Sequence, residues 1–178
     1  MVGDFNDKTD KGIIPRTFTY LYKKINQKNS SASQNENNLE ESKSKYNIYL
    51  SFVQIYLESI QDLLDIDSKE IRIREDPEKG VFLEGVQWVK CKSAEECYEV
   101  FHSGEINRNT ESTKMNAHSS RSHAILILRI ENSIKVTDKT KVKTLKQETD
   151  RIITRSYLYL VDLAGSERVK KQVPQICV

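Results

Sequence analysis

Two short segments hold the residues best suited to do chemistry. The first is Asp162-Leu163-Ala164-Gly165, which follows the apolar run YLYLV. An Asp at the C-terminal end of a core strand can hold a Mg²⁺ ion or one of its waters. A Gly shortly after it lets the backbone approach a phosphate without a Cβ in the way. Alone, this pattern is weak, because Asp and Gly are common wherever a strand ends in a turn. The second segment is Asn116-Ala117-His118-Ser119-Ser120-Arg121-Ser122-His123. Hydroxyls complete a Mg²⁺ shell, an Asn orients water, and an Arg neutralises charge or locks a loop. The plain alternative is a polar loop whose side chains cap their own backbone.

The elements around these segments must position them. SYLYLV reads as a buried strand running straight into Asp162, and HAILILRIE as a strongly apolar strand leaving the polar segment. Upstream, Pro15 suits a first helical turn, and Ile14, Phe18, Leu21, Tyr22 and Ile25 recur at helical spacing, so an amphipathic helix ends near Lys24 to Asn26. Residues 27–45 carry almost no apolar side chain and read as a disordered insertion. In YNIYLSFVQIYLESIQDLLD, Ile48, Leu50 and Phe52 mark one face of a strand, with Tyr49 and Val53 on the other. Glu58 to Leu64 then suggests a short helix or turn. IRIRE reads as an edge strand with Arg72 and Arg74 outward, followed by a turn at 76–80 and a second strand in VFLEGVQWV. Ser93-Ala94-Glu95-Glu96 is a capping box, and Gly104 is placed to close that helix, which continues or restarts through Ile106 and Arg108. Lysine-rich residues 135–150 form a long exposed connection. Strands separated by helices point to a layered α/β fold.

The bulk composition agrees with one globular domain. The 178 residues are 37% hydrophobic and 30% charged, with a net charge of +2. Mean hydropathy is −0.62 and the pI about 8.3, too mild a balance to argue for nucleic acid or an anionic membrane. No apolar run approaches the length of a membrane span, and the polar, acidic start is no secretory signal. Cys91, Cys97 and Cys177 fit no zinc spacing and read as reduced thiols; His102, His118 and His123 form no metal-ligand spacing either.

Taken together, the two segments carry a resemblance. NAHSSRSH resembles the switch I signature of kinesin motor domains, and LVDLAGSER resembles their switch II, with HAILILRI as the strand between them. GIIPRTF, FVQIYLESIQDLLD and IRIREDPEKGVFLEGV resemble further stretches of the same family, so the likeness covers most of residues 1–170. It implies an α/β, P-loop NTPase-like motor fold with a mixed central sheet flanked by helices. It also implies ATP and Mg²⁺ as cofactors, microtubules as partner, no nucleic acid or membrane, and a cytoplasmic, cytoskeletal setting. A homodimer would form through regions outside these residues. On the same resemblance, Ser120 joins the Mg²⁺ shell and Ser119 lies beside it near the γ-phosphate. Asn116 positions the attacking water, Asp162 holds Mg²⁺ through water, and the Gly165 amide meets the γ-phosphate. Arg121 and Glu167 bridge the two switches, with Glu167 as proton acceptor.

The sequence departs from the family in two places. It contains no GxxxxGK[ST], the loop whose amides and Lys hold the β- and γ-phosphates. Residues 171–178 resemble nothing in the family and are expected to lie outside the fold. The chain is therefore expected to be the middle of a longer motor domain, with little or no ATP binding by itself. Faces of the sheet such as those of Ile125 and Leu160 are expected to lack partners. A non-catalytic, microtubule-binding or scaffolding relative is the main alternative. A myosin or small GTPase shares an Asp-x-x-Gly but not NAHSSRSH, and a nucleic-acid binder would rest only on the Lys135–Lys146 run, more simply a solvated loop.

Overall fold

The structure is a computed structural model, described at residues 1–3, 11–34, 44–68, 71–77, 80–114, 121–135 and 151–166. In chain order the elements are α1 (Ile13–Gln34), β1 (Lys45–Tyr56), β2 (Ser59–Asp62), β3 (Arg72–Asp76), β4 (Gly80–Glu84), β5 (Val89–Cys91), α2 (Ala94–Lys114), β6 (His123–Lys135) and β7 (Arg151–Asp162). The main sheet runs β2-β1-β6-β7, with β5 sharing the β1 edge used by β2. β3 and β4 form a separate hairpin. Every pairing among the described strands is antiparallel, so the expected α/β layering is present while no parallel pair is among them.

The core lies between this sheet and the two helices. Alternation along β1 and β6 sends Ile48, Leu50, Phe52, Ala124, Leu126 and Leu128 to one face, where they meet Ile14 and Phe18 of α1 and Cys97 and Phe101 of α2. The registers Leu50↔Leu128 and Phe52↔Leu126, then Leu128↔Leu158 and Leu126↔Leu160, stack these side chains into rows. Phe101 sits at the centre, with ring centroids 5.1 Å from Phe52 and 6.5 Å from Phe18.

Local chemistry sets the element ends. Ser93 caps α2: its Oγ accepts the Glu96 N–H at 3.2 Å, and the Glu96 carboxylate accepts the Lys92 N–H at 2.7 Å. Gly12 opens α1 under the N-terminal residues, donating to the Val2 carbonyl at 2.8 Å; a Cβ there would lie 2.0 Å from the Met1 oxygen.

Several expectations are corrected. α1 does not stop near Asn26 but continues through Gln34, covering part of the segment read as disordered, because a nucleated helix gains one hydrogen bond per added residue without needing apolar contacts. Lys28, beyond the expected end, sits over the Tyr46 ring at 5.6 Å. Residues 35–43 lie outside the described residues. Glu58 to Leu64 is not helical: Leu57 and Glu58, with φ of 47° and 65°, make a two-residue hairpin turn into β2. The run VFLEGVQWV splits into β4 and β5. Gly104 does not close α2. It lies mid-helix, where a Cβ would come within 2.5 Å of Phe52, so glycine lets α2 seat closely on β1. β7 is largely exposed rather than buried, because it is the edge strand and one face is uncovered. Residues 136–150 and 171–178 lie outside the described residues.

Candidate functional site

The site assembles at one end of β6 and β7. Antiparallel pairing places Ala124 opposite Asp162, so the chain enters β6 through Arg121-Ser122-His123 beside the point where Leu163-Ala164-Gly165 leaves β7. A side-chain bond ties the two exits: the Ala164 N–H donates to His123 Nδ1 at 2.9 Å. In that geometry Nδ1 is the acceptor, so a neutral ring carries its proton on Nε2. Ser122, next to it, is buried, and Arg121 is exposed.

Asp162 ends β7 with its carboxylate about half exposed. Arg108, in the fourth turn of α2, reaches it with Nη1 3.3 Å from Oδ2. The Arg108 side chain is 9% exposed, and Glu105, one turn earlier, stands 3.9 Å from the same nitrogen. Burial pushes the Glu105 carboxyl above the usual carboxylate range; the Asp162 charge adds to this and Arg108 opposes it. Arg108 thus sits between two carboxylates that would otherwise repel each other, its side chain almost wholly buried.

Of the residues singled out from sequence, the structure places Arg121, Asp162 and Gly165 at this end of the sheet. Asn116, Ser119, Ser120 and Glu167 lie outside the described residues. Three neighbours were not anticipated as site residues: Arg108, Glu105 and His123. Arg108 is 54 positions from Asp162, so only the packing of α2 against the sheet reveals the pair. The single advance signal was the Glu105–Arg108 spacing of one helical turn.

A half-exposed carboxylate already engaged by an arginine suits contact with a hydrated hard cation better than direct ligation, since an inner-sphere bond would compete with the guanidinium. The cleft against Asp162, lined by Met1, Ile14, Phe101, Glu105, Arg108 and Leu160, has a volume of about 50 Å³. Sites that enclose a drug-sized ligand run to roughly 300 Å³ or more, so this cleft does not by itself hold a nucleotide.

The family model for the kinesin motor domain matches residues 1–175, reaching into the segment 171–178 that was read as divergent. The chain belongs to the kinesin motor domain family. It is 42% identical over 132 residues to the kinesin-like protein KIN-UA of Oryza sativa subsp. japonica, covering 70% of this chain and 14% of that protein. The kinesin heavy chain of Syncephalastrum racemosum is 38% identical over 171 residues, 96% of this chain and 16% of that one. KIF15-A of Xenopus laevis is 39% identical over 160 residues, 90% of this chain and 10% of that one. The chain thus spans no more than 16% of the length of these relatives. A solved structure of a fast kinesin superposes with a TM-score of 0.74 at 29% identity, covering 98% of this chain and 43% of that one. The kinesin motor fold expected from the two switch signatures is therefore the fold of this chain, as a partial α/β unit.

Proposed function

We propose that this chain is the switch-bearing middle of a microtubule motor that couples Mg²⁺-ATP hydrolysis to movement along microtubules, in the cytoplasmic cytoskeleton. The observation that carries the reading is the joined exit of the two switch segments, where His123 holds Ala164 and Arg108 holds Asp162. The likeness to a kinesin whose structure was described for its ATPase mechanism and interactions with microtubules supports it. Bound Mg²⁺-ATP supplies the γ-phosphoryl group and the charge that spreads as it leaves. The residues of this chain contribute position and electrostatics. Asp162 accepts a hydrogen bond from a cation-bound water, and the Gly165 amide donates toward the γ-phosphate. Ser119 and Ser120 supply hydroxyls to phosphate and cation, and Asn116 orients the attacking water. Arg121 pairs with Glu167 when the segments close, and Glu167 takes the proton. Breaking that pair after phosphate release would move switch II and pass the change to the track-binding surface. Dimerisation, where it occurs, uses regions beyond these residues.

The 178 residues, which contain no GxxxxGK[ST], bind a fluorescent ATP analogue at micromolar concentration weakly or not at all. A kinesin motor domain that combines these residues with that loop is expected to show Mg²⁺-dependent ATPase stimulated by microtubules. Arg121→Ala or Glu167→Ala abolishes stimulation and spares ATP binding. Wild-type stimulated turnover in either variant removes the switch roles. Microtubule binding without any ATPase in that domain would instead favour a scaffolding module.

A further inference from the structure

The two edges of the main sheet end differently. On one side β1 is flanked by β2 and β5, of four and three residues, and strands that short blunt an edge. On the other side β7 runs for 12 residues, about twice a usual strand. Among the described residues it pairs with β6 alone. Its register is unbroken from Asp162 to Arg151, so no bulge twists the edge away. Nor does β7 contain a Pro or a Lys, two residues that commonly blunt such an edge. Because hydrogen-bonding direction alternates along a strand, half of its residues aim N–H and C=O away from β6. On the open face of the sheet, Ile153, Tyr157, Tyr159 and Val161 are each 42% to 54% exposed.

We propose that β7 is a self-association strand, through which two copies of this chain join edge to edge and antiparallel, about a two-fold axis perpendicular to the sheet. This pairing belongs to the 178 residues themselves and is separate from motor dimerisation through other regions. The strand's own composition selects the direction. Arg151 and Arg155 lie in its first half, and Tyr157, Tyr159 and Asp162 in its second. Parallel, in-register pairing would set arginine beside arginine. Antiparallel pairing instead sets the basic half of each copy against the aromatic and acidic half of the other. In the register centred on Ser156, Arg155 stands opposite Tyr157 of the second copy and Ile153 opposite its Tyr159, all on the open face. Ile152 and Leu160 oppose each other on the helix face. Arginine over an aromatic ring is a contact this open face already makes, where Arg129 lies between Tyr49 and Trp88. Arg155 is held to the same face by Glu131, at 2.9 Å. Directly opposed residues share a face, so the helices of both copies stay on one side and the open grooves become continuous on the other. Each copy offers one such edge, and the assembly closes at two. Edge pairing adds main-chain hydrogen bonds but buries little apolar surface, so dissociation is expected at roughly 10–100 µM.

The test is sedimentation velocity on the 178-residue chain from about 1 to about 200 µM, in dithiothreitol so that no disulfide joins the copies. Hydrogen exchange read by mass spectrometry accompanies it at both ends of that range. The expected result is a rise toward twice the 20.6 kDa chain mass, with exchange in the β7 peptide at least several-fold slower at the high concentration. The double variant Tyr157→Lys, Tyr159→Lys sets a lysine opposite Arg155 of the second copy and should stay monomeric throughout, with folding checked by circular dichroism. Arg155→Ala should weaken association several-fold. A chain that remains monomeric, or that doubles in mass without slower exchange in β7, overturns the proposal. So does β7 protected equally at both concentrations, which would mean that another segment of the same chain covers the edge. Undiminished association of the folded lysine variant has the same force. If that variant does not fold, the concentration dependence of β7 exchange in the unsubstituted chain decides alone.

Discussion

The two faces of one sheet behave differently although the same strands build both. On the helix side, Leu126 and Leu128 are nearly inaccessible, packed in register rows against Phe18, Cys97 and Phe101. On the other side, Ile127 is buried at 5%, but Ile125, Trp88, Tyr157 and Tyr159 line an open groove, and Tyr159 is 54% exposed. Some order exists there: Arg129 is sandwiched between the Tyr49 and Trp88 rings at 4.4 and 4.6 Å, and Trp88 meets Tyr157 edge-on. These contacts run within the sheet surface, whereas the helix face gains its contacts from a second layer. Apolar residues on a face stabilise only when something packs on them, so stability should concentrate on the helix side.

The largest expected effect tests that concentration directly. Phe101→Ala removes the ring shared by Phe18, Phe52 and Tyr98 and should cost about 3–5 kcal/mol. A urea midpoint shifted by under a third of that would mean the core is not organised around α2. Next comes Gly104→Ala. Its Cβ would overlap Phe52 at 2.5 Å, so the variant should lose about 1–3 kcal/mol despite alanine's better helix propensity. Stabilisation by this substitution would show that α2 can lift from β1 without penalty.

Gly104 also marks where sequence reading runs out. Local signals were legible: the alternation at the start of β1, the apolar run of β6, the Ser93 capping box, and the helical spacing from Ile14 to Ile25 all correspond to elements in the structure. The long switch signatures identified the family before any coordinate. What failed depends on partners distant in sequence. A glycine near helix end and a glycine under a phenyl ring look alike until β1 is in place. Leu57-Glu58 carries none of the Asn or Gly that announces a two-residue hairpin turn, so β2 was hidden. SYLYLV has the composition of a buried strand, and only its edge position leaves Tyr157 and Tyr159 exposed. Arg108 was legible as a helical residue but not as the partner of Asp162.

A smaller effect separates the rim of the helix face from its centre. Glu105 is held above the ordinary carboxylate range by burial first and by Asp162 next. An acid raised on folding binds a proton more tightly in the native state, so the native state loses stability as pH rises from the ordinary carboxylate value through the raised one. Glu105→Gln removes that loss. The variant should gain on the wild type as pH climbs from 5 toward neutrality, measured as the difference between their urea midpoints. Asp62, also raised by burial, leaves part of the slope in place. An identical difference at both ends of the range would mean that Glu105 is not penalised by its surroundings.

The smallest effect is expected on the open face, where neighbours along one strand give the sharpest contrast. Leu160 turns toward the helices and packs against the core, while Tyr159 turns the opposite way into the groove. Tyr159→Ser should change stability by no more than about 0.5 kcal/mol, as at most surface positions, whereas Leu160→Ala should cost more because it empties space beside Leu126. The comparison needs no assumption about absolute stability, since both changes sit on β7 and share one unfolded reference. Equal costs would mean that Tyr159 is covered in solution, and the asymmetry between the two faces would then belong to their packing partners rather than to exposure.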